Sequence, residues 1–461
     1  MTEGRATVEG PVTGGKRGWP FAASMLDVAG YGYVEEEYLL AGDAVRYRDI
    51  DDSTARADGV WSAEPIEPAP YRTRLLVYRP RDPAEFNGTV ILTWNNVTAG
   101  FELFGTDSVE ILEGGYALAC LTTQKVGIDG LPPLNQGLAN WDPERYGSLH
   151  IPSDDYSYDI FTQAARAVGP DRPTDGADPM GGLAVERVVA FGASQSAGRL
   201  ATHLNAIQPV TGALDGYILA IYFGRGTPLE VGDEVVDLAK IGDMPMAERF
   251  RGTNRLRDDL GVPVFVINSE LESMSCHPVR QPDTDTFRYW EVAGSCHVSE
   301  QSTAARAAMH ARDEVVTMPR GGGINAIPMG LAYDAVFGHV HRWLAEGVAP
   351  PVQPKIDFAG ESPAIVRDTD GIATGGVRLP QVEVPIAVNS AIPRGEGILA
   401  YLDGSCEPFT RAEAEARYGD RETYLTRFED AANASVAAGV LCPRDVPKLV
   451  AEADHRWSEL A

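Results

Sequence analysis

Two serines stand one residue apart in the stretch GASQSAG, residues 192–198, and either has the chemistry of a nucleophile. The apolar run VERVVAF leads into this stretch, and the helix-prone run SAGRLATHLNAI leaves it. A serine on a tight turn between a strand and a helix is typical of a nucleophile elbow. There the residues two before and two after the serine must be small, so that strand and helix can pack. The pattern therefore predicts nucleophilic catalysis by Ser194 or Ser196.

The position of the strand end favours Ser194. The run VVAF ends at Phe191, and a glycine directly after the strand with serine two residues later is the usual elbow register. Gly192 and Ser196 then fill the two small positions, whereas Ser196 at the elbow would lengthen the turn by two residues. The structural alternative is that both serines only cap a helix, which is a common use of serine.

An acid and a histidine follow the serine in the chain order that this chemistry needs. The run VPVFVIN is followed by SELE, with Glu270 and Glu272, and the run FRYWEVAG is followed by SCH, with His297. Glu272 is favoured as the acid because the turning loop can aim it back at His297. Glu270, directly after the strand, is the alternative, and Asp283 and Asp285 precede the last strand as solvated loop charges.

These residues define a mechanism in which His297 takes the proton of Ser194 and Glu272 orients the imidazole. The developing oxyanion needs two hydrogen-bond donors, of which the first is the Gln195 N–H at the start of the helix. The second is expected from the loop after the strand TVILTW, which contains Asn95, Asn96 and Val97. The alternative for that loop is a plain turn.

The elements that must position these groups read as strands alternating with helices. The strand runs are RTRLLVYRP, TVILTWNNV, GGYALACLTT, VERVVAFGAS, LDGYILAIYFG, VPVFVINSE and TFRYWEVAGSCH. The helical runs include YSYDIFTQAARAV, SAGRLATHLNAI and AIPMGLAYDAVFGHVHRWLAEG. Strands that are apolar throughout indicate a mostly parallel sheet with helices on both faces, so the predicted fold class is α/β.

Changes in composition divide the chain into three parts. Residues 1–70 form an N-terminal extension with weak strand signals that packs on the core. Residues 71–348 form the core, with an insertion or cap at 225–260, and the proline-rich run GVAPPVQP leads into a C-terminal extension at 349–461. We expect the loop at 124–155, the insertion and the C-terminal extension to wall the substrate pocket.

Composition limits the function classes. The chain has 461 residues, 44% hydrophobic, and a formal net charge of −27. Such a surface repels phosphate backbones and anionic membranes, so we expect neither a nucleic-acid partner nor a membrane partner. The N-terminus has no apolar core of signal-peptide length, no apolar run is long enough to span a membrane, and five cysteines are too few for a disulfide framework. We therefore expect a cytoplasmic protein.

Metals and cofactors find no support in the sequence. Cys276–His277 and Cys296–His297 are pairs of adjacent residues, which are awkward co-ligands for zinc. A dinucleotide fingerprint is absent, and the glycines at 321–323 lack the lysine of a phosphate-binding loop. The sequence leaves two questions open: whether Cys276 and Cys296 are bonded, and whether the chain is a homodimer.

A family resemblance adds to this interpretation. The elbow, the NSELES loop and the WEVAGSCH segment resemble the α/β-hydrolase fold. With GYVEEEYLLAG, FNGTVILTWNNV, WDPERYGSLHIPSDDYSYDIFTQAARAV and GGVRLPQVEVPIA, they resemble a bacterial family called alpha/beta hydrolase domain-containing protein. The resemblance spans nearly the whole chain and implies a serine hydrolase with Ser194, an acid from residues 270–272, and His297. Many members of that family carry Asp where this chain has Glu272, which favours Glu272.

The function predicted from all of this is hydrolysis of a carboxylic ester of small or medium size, without a cofactor and through an acyl-enzyme. Acyl transfer or thioester cleavage on the same three residues is the second enzymatic alternative. A catalytically silent binding protein with this fold is the third, because a fold alone does not fix activity.

Overall fold

The main sheet of the described residues has nine strands, in the order β1-β2-β3-β5-β4-β6-β7-β8-β9. The computed structural model describes residues 4–103, 108–231, 250–361 and 363–461. Within the predicted insertion at 225–260, residues 232–249 lie outside the described residues. The strands of the sheet are β1 (Thr7–Glu9), β2 (Tyr33–Asp49), β3 (Ala63–Pro80), β4 (Thr89–Trp94), β5 (Ala117–Leu121), β6 (Arg187–Ala193), β7 (Gly216–Ala220), β8 (Val264–Ser269) and β9 (Phe287–Val292).

Strands β4 to β9 run parallel, so their carboxyl ends share one edge of the sheet. Strands β1, β2 and β3 are antiparallel additions beside β5. This confirms the predicted mostly parallel α/β sheet and each of its strand runs. The carboxyl edge is where such sheets bind ligands.

Helices cover both faces of the sheet, as the apolar strands predicted. The helices before the C-terminal extension are α1 (Val109–Glu113), α2 (Lys125–Asp129), α3 (Leu138–Trp141), α4 (Pro143–Tyr146), α5 (Ser157–Val168), α6 (Gln195–Thr202), α7 (Gln208–Thr211), α8 (Glu270–Cys276), α9 (Glu300–Arg312) and α10 (Met329–Glu346). One face packs alternate strand residues against α5 and α6. The other face packs the intervening residues against α1 and α10. The side-chain period of two in a strand divides the core in this way.

Two local predictions need correction. The segment 124–155 was expected to be a long loop, but it contains α2, α3 and α4, because Gly130 and Pro143 break it into helices of only four or five residues. The predicted helix after the elbow is not a regular α-helix either. A π turn at His203–Ile207 joins α6 to α7.

The N-terminal region contributes more to the sheet than its weak strand signals predicted. Strand β2 is 17 residues long and pairs with β3 along almost its whole length. It carries the acidic run at residues 35–37, which sequence reasoning associates with solvent. Pairing with a distant strand, rather than local pattern, determines this element.

The C-terminal extension covers the far edge of the sheet. Val377 pairs with β9 through hydrogen bonds to Glu291 and Ala293, so β9 is not an open edge. The elements of the extension are β10 (Phe358–Ala359), β11 (Ala364–Ile365), α11 (Pro380–Glu383), β12 (Ala387–Ser390), α12 (Gly397–Asp403), β13 (Ser405–Pro408), α13 (Arg411–Tyr418), α14 (Arg421–Ala437) and α15 (Val446–Glu459). The last three helices share a core of their own around Tyr424 and Trp457. Within the described ranges, no helix has both the length and the apolarity to cross a bilayer.

A buried charge network fastens the N-terminal segment to the sheet. Arg74, on β3, is fully buried and bonds to the carboxylates of Glu37 and Glu102 and to the Phe21 carbonyl. Arg145 also bonds to Glu37, and the Tyr146 hydroxyl donates to the same carboxylate. Each buried charge therefore has an opposite charge as a partner, which is the condition for tolerating it in the interior.

We expect Arg74→Met to lower the free energy of unfolding by about 3–5 kcal/mol, because it leaves two buried carboxylates without their shared cation. Urea denaturation measures the change. The matched control is Arg48→Met, which removes a solvent-exposed pair with Glu64 and is expected to leave stability nearly unchanged. Equal effects of the two substitutions would contradict the assignment.

Candidate active site

Ser194 occupies a strained turn between β6 and α6. Its backbone has φ 61° and ψ −119°, a combination that side-chain-bearing residues rarely adopt. The Ser194 N–H donates to the Ala220 carbonyl on neighbouring β7 at 3.0 Å, which fixes the turn to the sheet edge. A Cβ on Gly192 would come within 2.9 Å of the Ser196 carbonyl oxygen, so the turn requires glycine there. Strain of this kind concentrates at functional sites.

The same geometry separates the two serines. Ser196 lies in the first turn of α6 and is fully buried, and its hydroxyl has no hydrogen-bond partner among the residues that the structure describes. Ser194, by contrast, is half-buried and stands at the strand end. The elbow register therefore has Ser194 at its centre, and Gly192 and Ser196 at the positions that must be small.

A network of side chains holds the residue after the turn. The Gln195 amide donates to Gln124 Oε1 at 2.9 Å, and the Trp94 indole donates to the same oxygen at 3.1 Å. Gln124 in turn donates to Asp154, which also accepts from Arg199 on α6. Because Gln195 opens α6, its N–H has no acceptor within the helix.

Glu272 and His297 are brought together at the same edge of the sheet. His297 Nδ1 lies 2.7 Å from Glu272 Oε1, and the glutamate side chain is fully buried. The Ser269 hydroxyl donates to the other carboxylate oxygen, Oε2. Both oxygens of Glu272 are thus engaged, which fixes its direction and leaves Nε2 of the imidazole as the ring nitrogen available to a reactant.

Helix geometry explains why Glu270 does not take this place. Glu270 and Glu272 begin α8, and two residues along a helix turn the side chains by about 200°. Glu270 accordingly faces the other way, where its carboxylate accepts from the Gly294 N–H at 2.8 Å and pairs with Arg367. Of the two candidate acids, the structure brings Glu272 to His297.

The imidazole is stacked against an aromatic side chain that approaches from the elbow side. Phe223, in the loop after β7, lies with its ring 5.3 Å from the His297 ring at an interplanar angle of 21°. Phe250 stacks on Phe223, and Tyr401 of the C-terminal extension stacks on Phe250. His297, which follows β9, therefore lies beside the loop that follows β7, and β7 is the direct neighbour of β6.

Asn95 and Asn96 were expected to supply an oxyanion donor, but the structure gives their backbone N–H groups other acceptors. The Asn95 N–H donates to the Leu121 carbonyl at 3.3 Å, and the Asn96 N–H donates to the Leu103 carbonyl at 2.8 Å. Both N–H groups therefore already have acceptors within the protein, and the Asn96 bond is part of an isolated β-bridge between residues 96 and 103. The Asn96 side chain supports the elbow instead, donating to the Ala193 carbonyl at 3.1 Å.

The Val97 N–H, in the same loop, makes no hydrogen bond to another residue that the structure describes. Val97 is buried, and it follows β4, the neighbour of β6 on the other side from β7. A buried unpaired N–H is costly unless something accepts from it.

The cysteines near the site are free thiols, which answers the question of a disulfide. The Cys276 thiol donates to the Tyr222 carbonyl at 2.9 Å, and Cys296 faces the Tyr401 carbonyl at 3.7 Å. Burial raises the pKa of the Cys296 thiol well above its ordinary value, and the Glu272 charge raises this pKa further. The thiol beside His297 is therefore protonated and a poor nucleophile.

The candidate metal ligands do not converge. Within the residues that the structure describes, no three His, Cys, Asp or Glu side chains form a group that could hold a metal ion. The His277 ring lies 4.4 Å from the Phe358 ring at an interplanar angle of 44°. The site combines a strained serine, N–H groups without a hydrogen-bond partner among the described residues, and a histidine oriented by a buried carboxylate. Such an arrangement is suited to attack on an acyl carbon.

Several residues of the site were missed by sequence reasoning. Ser269 could have been found, because Ser269 and Glu272 fit the S-x-x-E pattern of a helix start. A helix starting there would have predicted the direction of the Glu272 side chain. Gln124 and Asp154, which hold Gln195, lie in the segment that was expected to be loop. Phe250 and Tyr401 had no local signal, since their partners are distant in the chain.

Comparisons with known proteins agree with this architecture. A family model described as alpha/beta hydrolase domain matches residues 8–451. No curated protein matches the chain.

Several solved structures of esterases resemble the chain at low identity. Esterase Est22 is 12% identical with a TM-score of 0.32, and the match covers 63% of this chain and 81% of that one. A bacterial heroin esterase is 14% identical with a TM-score of 0.31, covering 64% and 87%. A glucuronoyl esterase from Solibacter usitatus is 12% identical with a TM-score of 0.26, covering 63% and 84%.

The strain at the elbow predicts an unusual effect on stability. We expect Ser194→Gly to be more stable than Ser194→Ala by about 1 kcal/mol, because only glycine adopts the backbone angles of this turn without cost. Denaturant unfolding of the two variants measures the difference.

The matched control is the same pair of substitutions at Ser196, two residues along in α6. There glycine should be less stable than alanine by about 0.5–1 kcal/mol, as in any helix interior. The same order of stability at both positions would show that the turn at Ser194 is not strained.

Proposed function

We propose, since the chain belongs to the alpha/beta hydrolase domain family, that this hydrolase cleaves carboxylic esters with Ser194 as nucleophile, His297 as base and Glu272 as acid. The observation that carries the proposal is the 2.7 Å contact between His297 Nδ1 and Glu272 Oε1, at the sheet edge where Ser194 is held on a strained turn. A serine hydroxyl is a weak nucleophile by itself and needs such a base beside it.

In the proposed reaction, His297 Nε2 accepts the Ser194 proton as Oγ attacks the acyl carbon. The imidazolium that forms is stabilised by Glu272, whose full burial strengthens the attraction. His297 then gives the proton to the leaving alcohol, and an acyl-Ser194 remains. Water, activated by the same imidazole, releases the acid and restores Ser194.

We assign stabilisation of the oxyanion to the N–H groups of Gln195 and Val97. They come from the residues after β6 and after β4, which are neighbouring strands of the sheet. Each donor of this kind is typically worth about 3–4 kcal/mol in the transition state. Asn96 then acts through its side chain, which holds the Ala193 carbonyl beside the elbow.

The surroundings favour a small or medium ester over a polymer. The His297 side chain is only 9% exposed, because Phe223 covers one face of the ring and the C-terminal extension packs beside its loop. A substrate must bring its acyl carbon to this nearly buried imidazole.

Labelling with a fluorophosphonate tests the nucleophile. We expect wild type to be labelled at Ser194, Ser196→Ala to be labelled at a similar rate, and Ser194→Ala not to be labelled, because only Ser194 lies at the elbow. Intact mass and peptide mapping measure the adduct. Labelling that survives Ser194→Ala and disappears in Ser196→Ala would move the nucleophile by two residues.

Replacement of the acid tests the orientation of His297. We expect Glu272→Gln to reduce kcat for a p-nitrophenyl ester by roughly 10³- to 10⁴-fold, because an amide no longer stabilises the imidazolium. Steady-state kinetics measure the change.

Asp285→Asn is the control, since Asp285 is an exposed acid in the loop before β9 and should leave kcat unchanged. A Glu272→Gln enzyme with wild-type kcat would remove Glu272 from the proposed mechanism.

A further inference from the structure

The C-terminal extension reaches the loops that carry Glu272 and His297 through one buried carboxylate. Glu270 is fully buried, and its Oε1 accepts from the Arg367 guanidinium and from the Ala391 N–H at 3.2 Å. Its Oε2 accepts from the Gly294 N–H at 2.8 Å. Arg367 and Ala391 belong to the extension, whereas Gly294 begins the turn that leads to His297. A single side chain therefore joins the extension to the histidine loop.

The extension also holds the other end of the same loop. The Val298 N–H, directly after His297, donates to the Leu402 carbonyl at 3.0 Å. Asn325 donates from its side chain to the Gly294 carbonyl at 2.6 Å and from its backbone to the Asp403 carbonyl at 3.0 Å. Residues 294–298 are thus bonded on both sides of His297 to the extension or to a residue that the extension holds.

We propose that Glu270 and Arg367 are positioning residues, through which the C-terminal extension holds His297 and Glu272 in register for the reaction. This inference rests on the proposed function. Glu270 is the first residue of α8 and Glu272 the third, so the anchor on Glu270 fixes the start of the helix that carries the acid. Through Gly294, the same anchor fixes the loop that carries the base. Catalytic groups lose effect when their geometry shifts by even 1 Å.

Among the residues that the structure describes, Arg367 is the one cation that pairs with Glu270. The other donors to Glu270 are neutral N–H groups and the Ser390 hydroxyl, at 3.4 Å. A carboxylate without exposure needs an opposite charge, and Arg367 supplies it. Without that cation, the buried Glu270 carboxylate lacks an opposite charge, and we expect its hydrogen bond to the Gly294 N–H to weaken.

A purely structural role for the pair makes a different prediction. If Arg367 only fastened the extension, its loss would lower the unfolding temperature without changing turnover by the folded enzyme. A positioning role lowers kcat at temperatures well below unfolding while KM stays nearly constant, because substrate contacts are unchanged.

The experiment compares Arg367→Met, Arg367→Lys and Arg378→Met in the full chain. Arg378 is a matched control, because its side chain is 24% exposed against 20% for Arg367, and each guanidinium bonds to one carboxylate and to at least one backbone carbonyl. All of its partners lie within the extension. The measurements are kcat and KM for a p-nitrophenyl ester, the rate of Ser194 labelling by a fluorophosphonate, and the unfolding temperature.

We expect Arg367→Met to lower kcat and the labelling rate at least tenfold with KM within twofold of wild type. Arg367→Lys should restore both rates to within about threefold, and Arg378→Met should match wild type. If Arg367→Met does not fold, Arg367→Gln takes its place in the comparison with Arg367→Lys.

Wild-type kcat in the uncharged variant overturns the positioning role, as does an equal loss in the lysine and uncharged variants. An equal loss in Arg378→Met also overturns it. A wild-type protein that is neither labelled nor active overturns the proposed function itself. An active wild type with an unaffected Arg367→Met removes only this inference.

Discussion

The turn at Ser194 is the constraint on which the rest of the site depends. The chain must pass from a buried strand into a helix within one residue, and it does so with a positive φ on a side-chain-bearing residue. That turn requires glycine at 192 and a small residue at 196, and it frees the Gln195 N–H at the helix start. The sheet stabilises the strained backbone through the Ser194 N–H bond to β7, while Asn96 holds the carbonyl just before it. The strain is thus supported by both neighbouring strands.

Much of the fold was predictable because the parallel strands are buried on both faces. Such apolar runs can be recognised in the sequence without knowing which strands pair. Each of the strand runs predicted between residues 72 and 297 contains a strand of the sheet. Strand β2 was not predictable in this way. Its run of three glutamates indicates solvent, yet Glu37 is buried, because Arg74 and Arg145 arrive from 37 and 108 residues away. Long-range charge pairing of this kind leaves no periodic pattern in the sequence.

The candidate site likewise has residues that local sequence predicts and residues whose roles depend on distant parts of the chain. Ser194 follows from the strand end and from the size of its neighbours, and the choice of Glu272 follows from the direction of the third residue in a helix. Those are local properties. The fate of the Asn95 and Asn96 N–H groups depends on a bridge to Leu103, and the role of Glu270 depends on an arginine 97 residues later. These contacts could not be predicted from the sequence, because the residues that make them are separated along the chain.

The most direct test of the account is to trap the acyl-enzyme. Wild type is mixed with p-nitrophenyl acetate, quenched in acid within milliseconds, digested and mapped by mass spectrometry. Nitrophenol release is recorded in the same experiment. The account predicts a burst of nitrophenol proportional to the enzyme concentration. It also predicts one acetyl group on the peptide that contains Ser194, attached to Ser194 itself. Turnover with no acetyl group on Ser194, or with the acetyl group on Ser196 or a cysteine, would contradict it.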